Sequence, residues 1–238
     1  MSKQSVAAVV IGRAESRGLP GKNTLAVAGR PMVAHSVLDA CRATTVDRVY
    51  CSTDGEAIAS AAKDAGATVV FRPTALSGAE ATVDSAVRHA IESTHDPAEI
   101  VVVLYANVPV RPTDLIDRAV ETLCSTGADS VQSYAAVGKF HPYWTVTIDD
   151  GANVAPWQAN TVYRRQDLPE AFIPDGGVIA VRRACLFEVD SAQPHAFLGR
   201  DRRGIHTERG DVVDVDDAID HRVAEAILEA RLDVEALR

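Results

Sequence analysis

Residues Val6 to Asn23 read VAAVVIGRAESRGLPGKN, an apolar run of strand length that empties into a basic loop broken by Gly and Pro. Val6, Val9, Val10 and Ile11 are the β-branched residues of a buried strand, with Ala7 and Ala8 among them. Past Gly12 the composition inverts. Arg13, Ser16, Arg17, Lys22 and Asn23 bring cations and hydrogen-bond donors, while Gly18, Pro20 and Gly21 keep the segment from becoming helix. A basic loop at the carboxyl end of a first strand is where open α/β sheets take ligands. Several cations on one loop suit a polyanion such as a nucleoside triphosphate; a plain strand-to-helix connection needs only about 2–6 residues.

Two familiar phosphate loops are absent from this stretch. Gly21-Lys22 is present, but Ser16 stands where a Walker-type loop needs its first glycine, and Asn23 follows the lysine. A dinucleotide fingerprint is also missing, because Gly12 is followed by Ala14 and the helical pattern starts only near Pro31.

The 238 residues suffice for one domain with a small excursion. With 47% hydrophobic and 24% charged residues the composition is that of a globular protein. A formal charge of −9 argues against a general nucleic-acid binder, so the basic loop is a local site in an acidic protein. Cys41, Cys51, Cys124 and Cys185 are scattered without zinc spacing and read as reduced thiols. No leader pattern is visible at the N-terminus, and no apolar run approaches the ~18 residues of a spanning helix. The expectation is a soluble, cytoplasmic protein that engages neither nucleic acid nor membrane.

Downstream, apolar strands alternate with amphipathic helices. Helices are expected over 31–42, 54–65, 82–92, 112–124 and 218–232, and strands over 46–52, 68–71, 99–104, 130–136, 177–181 and 212–215. The run IVVVL at 100–104 marks a strand covered on both faces, and the alternation predicts an α/β fold with a mostly parallel, helix-covered sheet. The rhythm breaks over 138–174, which holds Trp144, Trp157, Tyr143 and Tyr163 and reads as a hairpin-based subdomain. Its aromatics suit either a local core or a subunit interface.

The densest acidic cluster is Asp211, Asp214, Asp216, Asp217 and Asp220. Alternation in VVDVDDAID places Asp214 and Asp216 on one side, where two carboxylates beside a triphosphate suit Mg2+. Asp217 is better explained as a cap of the last helix. Ser52-Thr53-Asp54 reads first as a helix N-cap and second as a substrate-side turn. Arg72 after the third strand is either a further cation at the nucleotide or an exposed loop residue. Arg164 and Arg165 offer guanidiniums for a carboxylate clamp. His141 has no nucleophile beside it and reads as packed or solvated.

Arg13-x-x-Ser16-x-Gly18-Leu19-Pro20-x-Lys22-Asn23 resembles the nucleotide-loop signature of the acylneuraminate cytidylyltransferases, the CMP-sialic acid synthetase family. Ser52-Thr53-Asp54, Arg72-Pro73, Arg165-Gln166-Asp167-Leu168-Pro169 and Asp214-Val215-Asp216 follow in that family's order, so the resemblance covers essentially the whole of residues 1–238. It implies a Rossmann-like fold of the nucleotide-diphospho-sugar transferase type, with a dimerisation subdomain at 138–174 and hence a homodimer. It also implies a reaction in which the anomeric hydroxyl of an acidic nine-carbon sugar attacks the α-phosphate of CTP and expels pyrophosphate. Carried over by position, Arg13, Ser16, Lys22, Asn23, Arg72, Ala81 and Thr82 would hold the nucleotide. Arg13, Lys22 and Asp216 would serve the chemistry, with Asp214 and Asp216 binding Mg2+. Tyr105, Asn107, Arg165 and Gln166 would face the sugar, Arg165 taking its carboxylate. Tyr105-Ala106-Asn107-Val108-Pro109 stands where sialic-type members carry Gln-Pro-Thr-Ser-Pro, which leaves sialic, legionaminic and pseudaminic acids open. A KDO-type or other sugar nucleotidyltransferase, or a catalytically silent nucleotide-binding homologue, is the alternative.

Overall fold

In the computed structural model, residues 4–15, 18–78, 80–187 and 195–236 are described. In chain order the elements are β1 (Val6–Ile11), β2 (Ala26–Val27), β3 (Arg30–Pro31), α1 (Met32–Arg42), β4 (Arg48–Thr53), α2 (Glu56–Asp64), β5 (Thr68–Phe71), α3 (Val83–Ser93) and β6 (Ile100–Tyr105). There follow α4 (Leu115–Thr126), β7 (Ser130–Ala136), β8 (Val146–Ile148), β9 (Val154–Pro156), β10 (Phe172–Arg182), α5 (Arg183–Phe187), β11 (Arg202–Thr207) and α6 (Ala218–Ala236). No described helix is long and apolar enough to cross a membrane.

Seven strands form one sheet in the order β11-β7-β10-β6-β1-β4-β5, with β10 antiparallel to both of its neighbours and the other pairings parallel. This is the mostly parallel α/β fold of the Rossmann-like type. Because successive side chains of a strand point to opposite faces, β1 feeds two cores at once. Val6, Ala8 and Val10 pack with α1, α2 and α4 on one face. Ala7, Val9 and Ile11 pack with α3 and with Phe197 and Leu198 on the other. From β1 the chain first adds β4 and β5 on one side, then crosses to place β6 on the other. The crevice beyond the carboxyl ends of β1 and β6 is therefore the switch point where such sheets bind ligands.

A third apolar cluster ties the end of the chain to its beginning. Val213, Val215 and Ala224 pack with Val27, Met32 and Val110. Residues 212–215, expected as a strand, instead make isolated bridges, with Val213 N donating to the Val110 carbonyl at 3.3 Å and Val215 N to that of Asn107 at 2.9 Å. Their partner is the irregular segment after β6, which offers no ladder to extend. The strand expected over 177–181 is longer: β10 starts at Phe172, with a register shift between Pro174 and Ile179. Phe172, Ile173 and Pro174 thus already pair with β7 at the end of the segment read as an excursion. The rest of that excursion carries the β8–β9 hairpin, and its base is locked by His141, which is buried. His141 Nδ1 accepts from Tyr143 N and its Nε2 donates to the Pro169 carbonyl. It is packed rather than solvated.

Candidate active site

The loop after β1 is held from three sides. Asn23, only 5% exposed, donates from Nδ2 to the Arg13 carbonyl at 2.9 Å. Arg72, at the end of β5, donates from Nη2 to the Gly12 carbonyl at 2.8 Å. Asp54, at the end of β4, accepts from Ala14 N at 2.8 Å and lies 3.9 Å from Arg72. This corrects the capping reading of Ser52-Thr53-Asp54: α2 is preceded by Gly55 with no side-chain cap, and Asp54 spends its carboxylate on the loop. The chain also crowds there by design of its glycines. A Cβ on Gly12 would stand 2.8 Å from Ala106 Cβ, and one on Gly18 would stand 2.6 Å from the Asp216 carbonyl oxygen.

Gly18 therefore brings the start of the chain against its acidic end. Lys22 Nζ lies 2.7 Å from Asp216 Oδ1 and donates to the Val215 carbonyl at 3.2 Å. Val213 and Val215 are buried, so alternation sends Asp214 and Asp216 outward together. Asp214 accepts from Asn107 Nδ2. Although solvent reaches it, Asp214 is crowded by Tyr105 and Gly176, and its pKa is raised to about 6 by desolvation, with Asp216 and Asp220 adding repulsion and Lys22 opposing. Tyr105 is likewise pushed up, by burial first and then by Asp214. Burial weakens the preference of Arg72 for its charge, against the pull of Asp54. Asp217 Oδ1 accepts from Ile219 N and Asp220 N, the capping role expected of it.

A cavity of about 510 Å3 opens over this junction. Of the residues assigned from the sequence, Arg13, Lys22, Asn23, Arg72, Ala81, Thr82, Tyr105, Asn107 and Asp216 line it. Asn107 lines the cavity with its Nδ2 bonded to Asp214 and, at 3.2 Å, to the Val215 carbonyl. Ser16 lies outside the described residues. Arg165 and Gln166 do not join the group: they sit exposed on a single turn of 3-10 helix, Arg165–Asp167, within the excursion.

A second cavity of about 560 Å3 shares Thr82, Val83 and Tyr105 with the first. Gln132 and Tyr134 of β7, Pro174 and Ile179 of β10, and Arg202 of β11 wall it, over Phe197 and Leu198. Sequence reading missed these residues. They meet only because β11, β7 and β10 are neighbours in the sheet, an order that no local pattern announces.

Residues 7–170 match the family described as cytidylyltransferase. Among curated proteins, an N-acylneuraminate cytidylyltransferase of Streptococcus agalactiae is 31% identical over 172 residues, covering 71% of this chain and 41% of that protein. The chain thus spans about two fifths of the length of that relative. A CMP-N,N'-diacetyllegionaminic acid synthase of Legionella pneumophila is 33% identical over 156 residues, 63% of this chain and 65% of that protein. In structure, a CMP:2-keto-3-deoxy-manno-octonic acid synthetase complexed with CTP superposes with a TM-score of 0.72 at 16% identity, covering 96% of this chain and 100% of that one. That likeness shows the shared fold.

Proposed function

For a chain that belongs to the cytidylyltransferase family, we propose that it transfers the cytidylyl group of CTP to the anomeric hydroxyl of a nonulosonic acid of sialic, legionaminic or pseudaminic type, releasing pyrophosphate. The observation that carries this is the meeting of Lys22 with Asp216 across the mouth of the cavity, at 2.7 Å, at the sheet's switch point. Cations that suit a triphosphate meet the Asp216 carboxylate there, with Asp214 beside it but outside the cavity lining.

In this reading the triphosphate lies along the loop after β1, where Arg13, Lys22 and Arg72 neutralise it. The acceptor lies in the second cavity, so Tyr105, common to both cavities, stands where sugar and nucleotide meet. The acceptor oxygen forms a bond to the α-phosphorus as the bond to the β-phosphate oxygen breaks, and the hydroxyl proton passes to solvent. Such transfers draw their rate from positioning and from neutralising phosphate charge. Asp214 and Asp216 fit a hard cation such as Mg2+: they are oxygen donors, and the raised pKa of Asp214 marks a carboxylate in want of positive charge. Bound there, the cation would shield the phosphate oxygens. Among the described residues no three His, Cys, Asp or Glu side chains converge on a metal, so phosphate oxygens and water would complete its shell.

The excursion supports a homodimer. Phe140, Ile148, Val154, Trp157 and Tyr163 are exposed by 64–92% on one small hairpin-bearing segment, the kind of apolar surface that a second subunit would cover. The unbridged cysteines suit a reducing compartment such as the cytoplasm.

The test is a pyrophosphate-release assay over CTP, UTP and ATP against N-acetylneuraminic, N,N'-diacetyllegionaminic, pseudaminic and 3-deoxy-manno-octulosonic acids, with the product weighed by mass spectrometry. A CMP-nonulosonate formed from CTP supports the reading. Transfer only to the octulosonic acid, or CTP binding without transfer to any acid, overturns it.

A further inference from the structure

Arg111 ends the irregular segment after β6 and buries its whole side chain, a rare position for a guanidinium. Its donors are spent on α1 and β10. Nη1 meets Asp39 Oδ2 at 2.9 Å, Nε donates to the Gly177 carbonyl at 3.2 Å, and Nη1 and Nη2 both reach Ser36 Oγ at 3.3 Å. Asp39 is partly open to water and also lies 3.8 Å from Arg42. A buried ion pair adds little stability over an apolar core of the same volume, so stability alone does not call for this arrangement.

Ser36 is fully buried in the apolar face of α1 and has a single hydrogen to give. Because both Nη groups of Arg111 approach its oxygen, that hydrogen turns to the segment after β6. The Tyr105 carbonyl stands there at 2.8 Å and the Val108 carbonyl at 3.1 Å. These two carbonyls bracket Ala106 and Asn107. The segment extends no ladder, so its carbonyls depend on single donors: Val215 N serves Asn107, Val213 N serves Val110, and Arg231 serves Arg111 itself. Ser36 is the donor that α1 contributes. On its other side Arg111 holds the Gly177 carbonyl, next to Gly176, which crowds Asp214. One guanidinium thus braces both the turn that carries Tyr105 and the wall behind Asp214.

We propose that Arg111 is a positioning residue for nucleotide transfer: through Ser36 it sets the turn of Tyr105 and Asn107, and through Gly177 it sets the backbone against which Asp214 rests. It is not among the residues lining either cavity, so it acts only through these neighbours. The role rests on the transfer reaction proposed above.

The experiment measures kcat, KM for CTP, KM for acceptor and melting temperature in wild type, Ser36→Ala, Arg111→Lys and Asp96→Asn. Ser36→Ala removes the hydroxyl and leaves Arg111 with Asp39. Arg111→Lys keeps a charge beside Asp39, but one ammonium lacks the fork that spans Asp39, Ser36 and the Gly177 carbonyl together. Asp96→Asn is the control, since it disturbs a buried carboxylate that Arg48 and Tyr50 hold at the opposite end of the sheet. All three variants melt lower than wild type. Ser36→Ala and Arg111→Lys lower kcat about 10- to 100-fold with both KM values near those of wild type, because a shift of about 1 Å at a reacting group costs on that order. Asp96→Asn keeps the wild-type kcat. Ser36→Ala decides the matter should Arg111→Lys fail to fold. A wild-type kcat in Ser36→Ala, a loss that falls on KM alone, or an equal loss of kcat in Asp96→Asn overturns the proposal. Were the wild type to transfer to no acid, the functional reading would fall first. The backbone amide resonances of Asn107 and Val215 in isotope-labelled protein would then decide this one separately. A shift in Ser36→Ala that Asp96→Asn lacks supports it; no shift in Ser36→Ala, or an equal shift in both, overturns it.

Discussion

Replacing Lys22 by Met removes one charge from the cleft and keeps most of the side-chain stem. Lys22 Nζ reaches Asp216 Oδ1 at 2.7 Å and the Val215 carbonyl at 3.2 Å, but the Asp216 side chain is 75% exposed. A pair so open to water stabilises a fold by only about 0–1 kcal/mol. For a domain of this size the melting temperature should fall by roughly 2–4 °C at most. Turnover should suffer far more, because the ammonium faces charge that develops on the triphosphate as pyrophosphate leaves. Loss of one such electrostatic contact costs about 100- to 1,000-fold in kcat. Thermal melting and the pyrophosphate-release assay on the same preparations separate the two effects. A fall in kcat/KM of less than about tenfold with an unchanged melting curve would refute the role given to Lys22.

Asp214 gives a pH dependence with a definite sign. Its pKa is raised from the usual 3.8 to about 6, so the fold favours its protonated form; the cost to stability is fully present above pH 6 and is gone below 3.8. Nucleotide transfer needs the carboxylate, so kcat/KM for CTP with Mg2+ should drop about tenfold per pH unit below 6. The Asp214→Asn variant should be nearly inactive yet melt higher than wild type above pH 6, by roughly 1 kcal/mol once solvent screening is allowed for. A lower melting temperature for that variant would contradict the account of its crowding. Asp54→Ala frees Ala14 N and removes the counter-charge of Arg72, and should cost about 1–3 kcal/mol of stability and raise the CTP KM more than the acceptor KM. In the excursion, Trp157→Asp with Ile148→Asp should convert a dimer to a monomer by light scattering; a dimer that survives both would place its interface elsewhere.

Much of the sheet could be read because β1 and β6 are apolar on both faces, and only strands buried between helix layers carry such runs. The acidic end was legible for a related reason: Val213 and Val215 supply a buried face, and alternation then fixes where Asp214 and Asp216 go. The same residues misled on secondary structure, because their hydrogen-bond partners are loop atoms that extend no ladder. Asp54 was misread because capping logic looks three residues ahead, whereas its partner, Ala14 N, lies 40 residues back. β11 escaped notice because Arg202, Arg203, Gly204 and His206 of this sheet-edge strand are all exposed, leaving only Ile205 and Thr207 buried. The start of β10 was hidden by Pro174, a residue that ordinarily argues against a strand, and by the register shift that follows it.

The central claim is that the cations of the first loop and the carboxylates of the last one grip a single nucleotide between them. A crystal structure of the protein with CTP and Mg2+ tests it most directly. The account predicts the triphosphate between Lys22 and the pair Asp214 and Asp216, with the metal about 2.1 Å from their oxygens. A triphosphate bound away from this cleft, or a metal that touches neither aspartate, would contradict it.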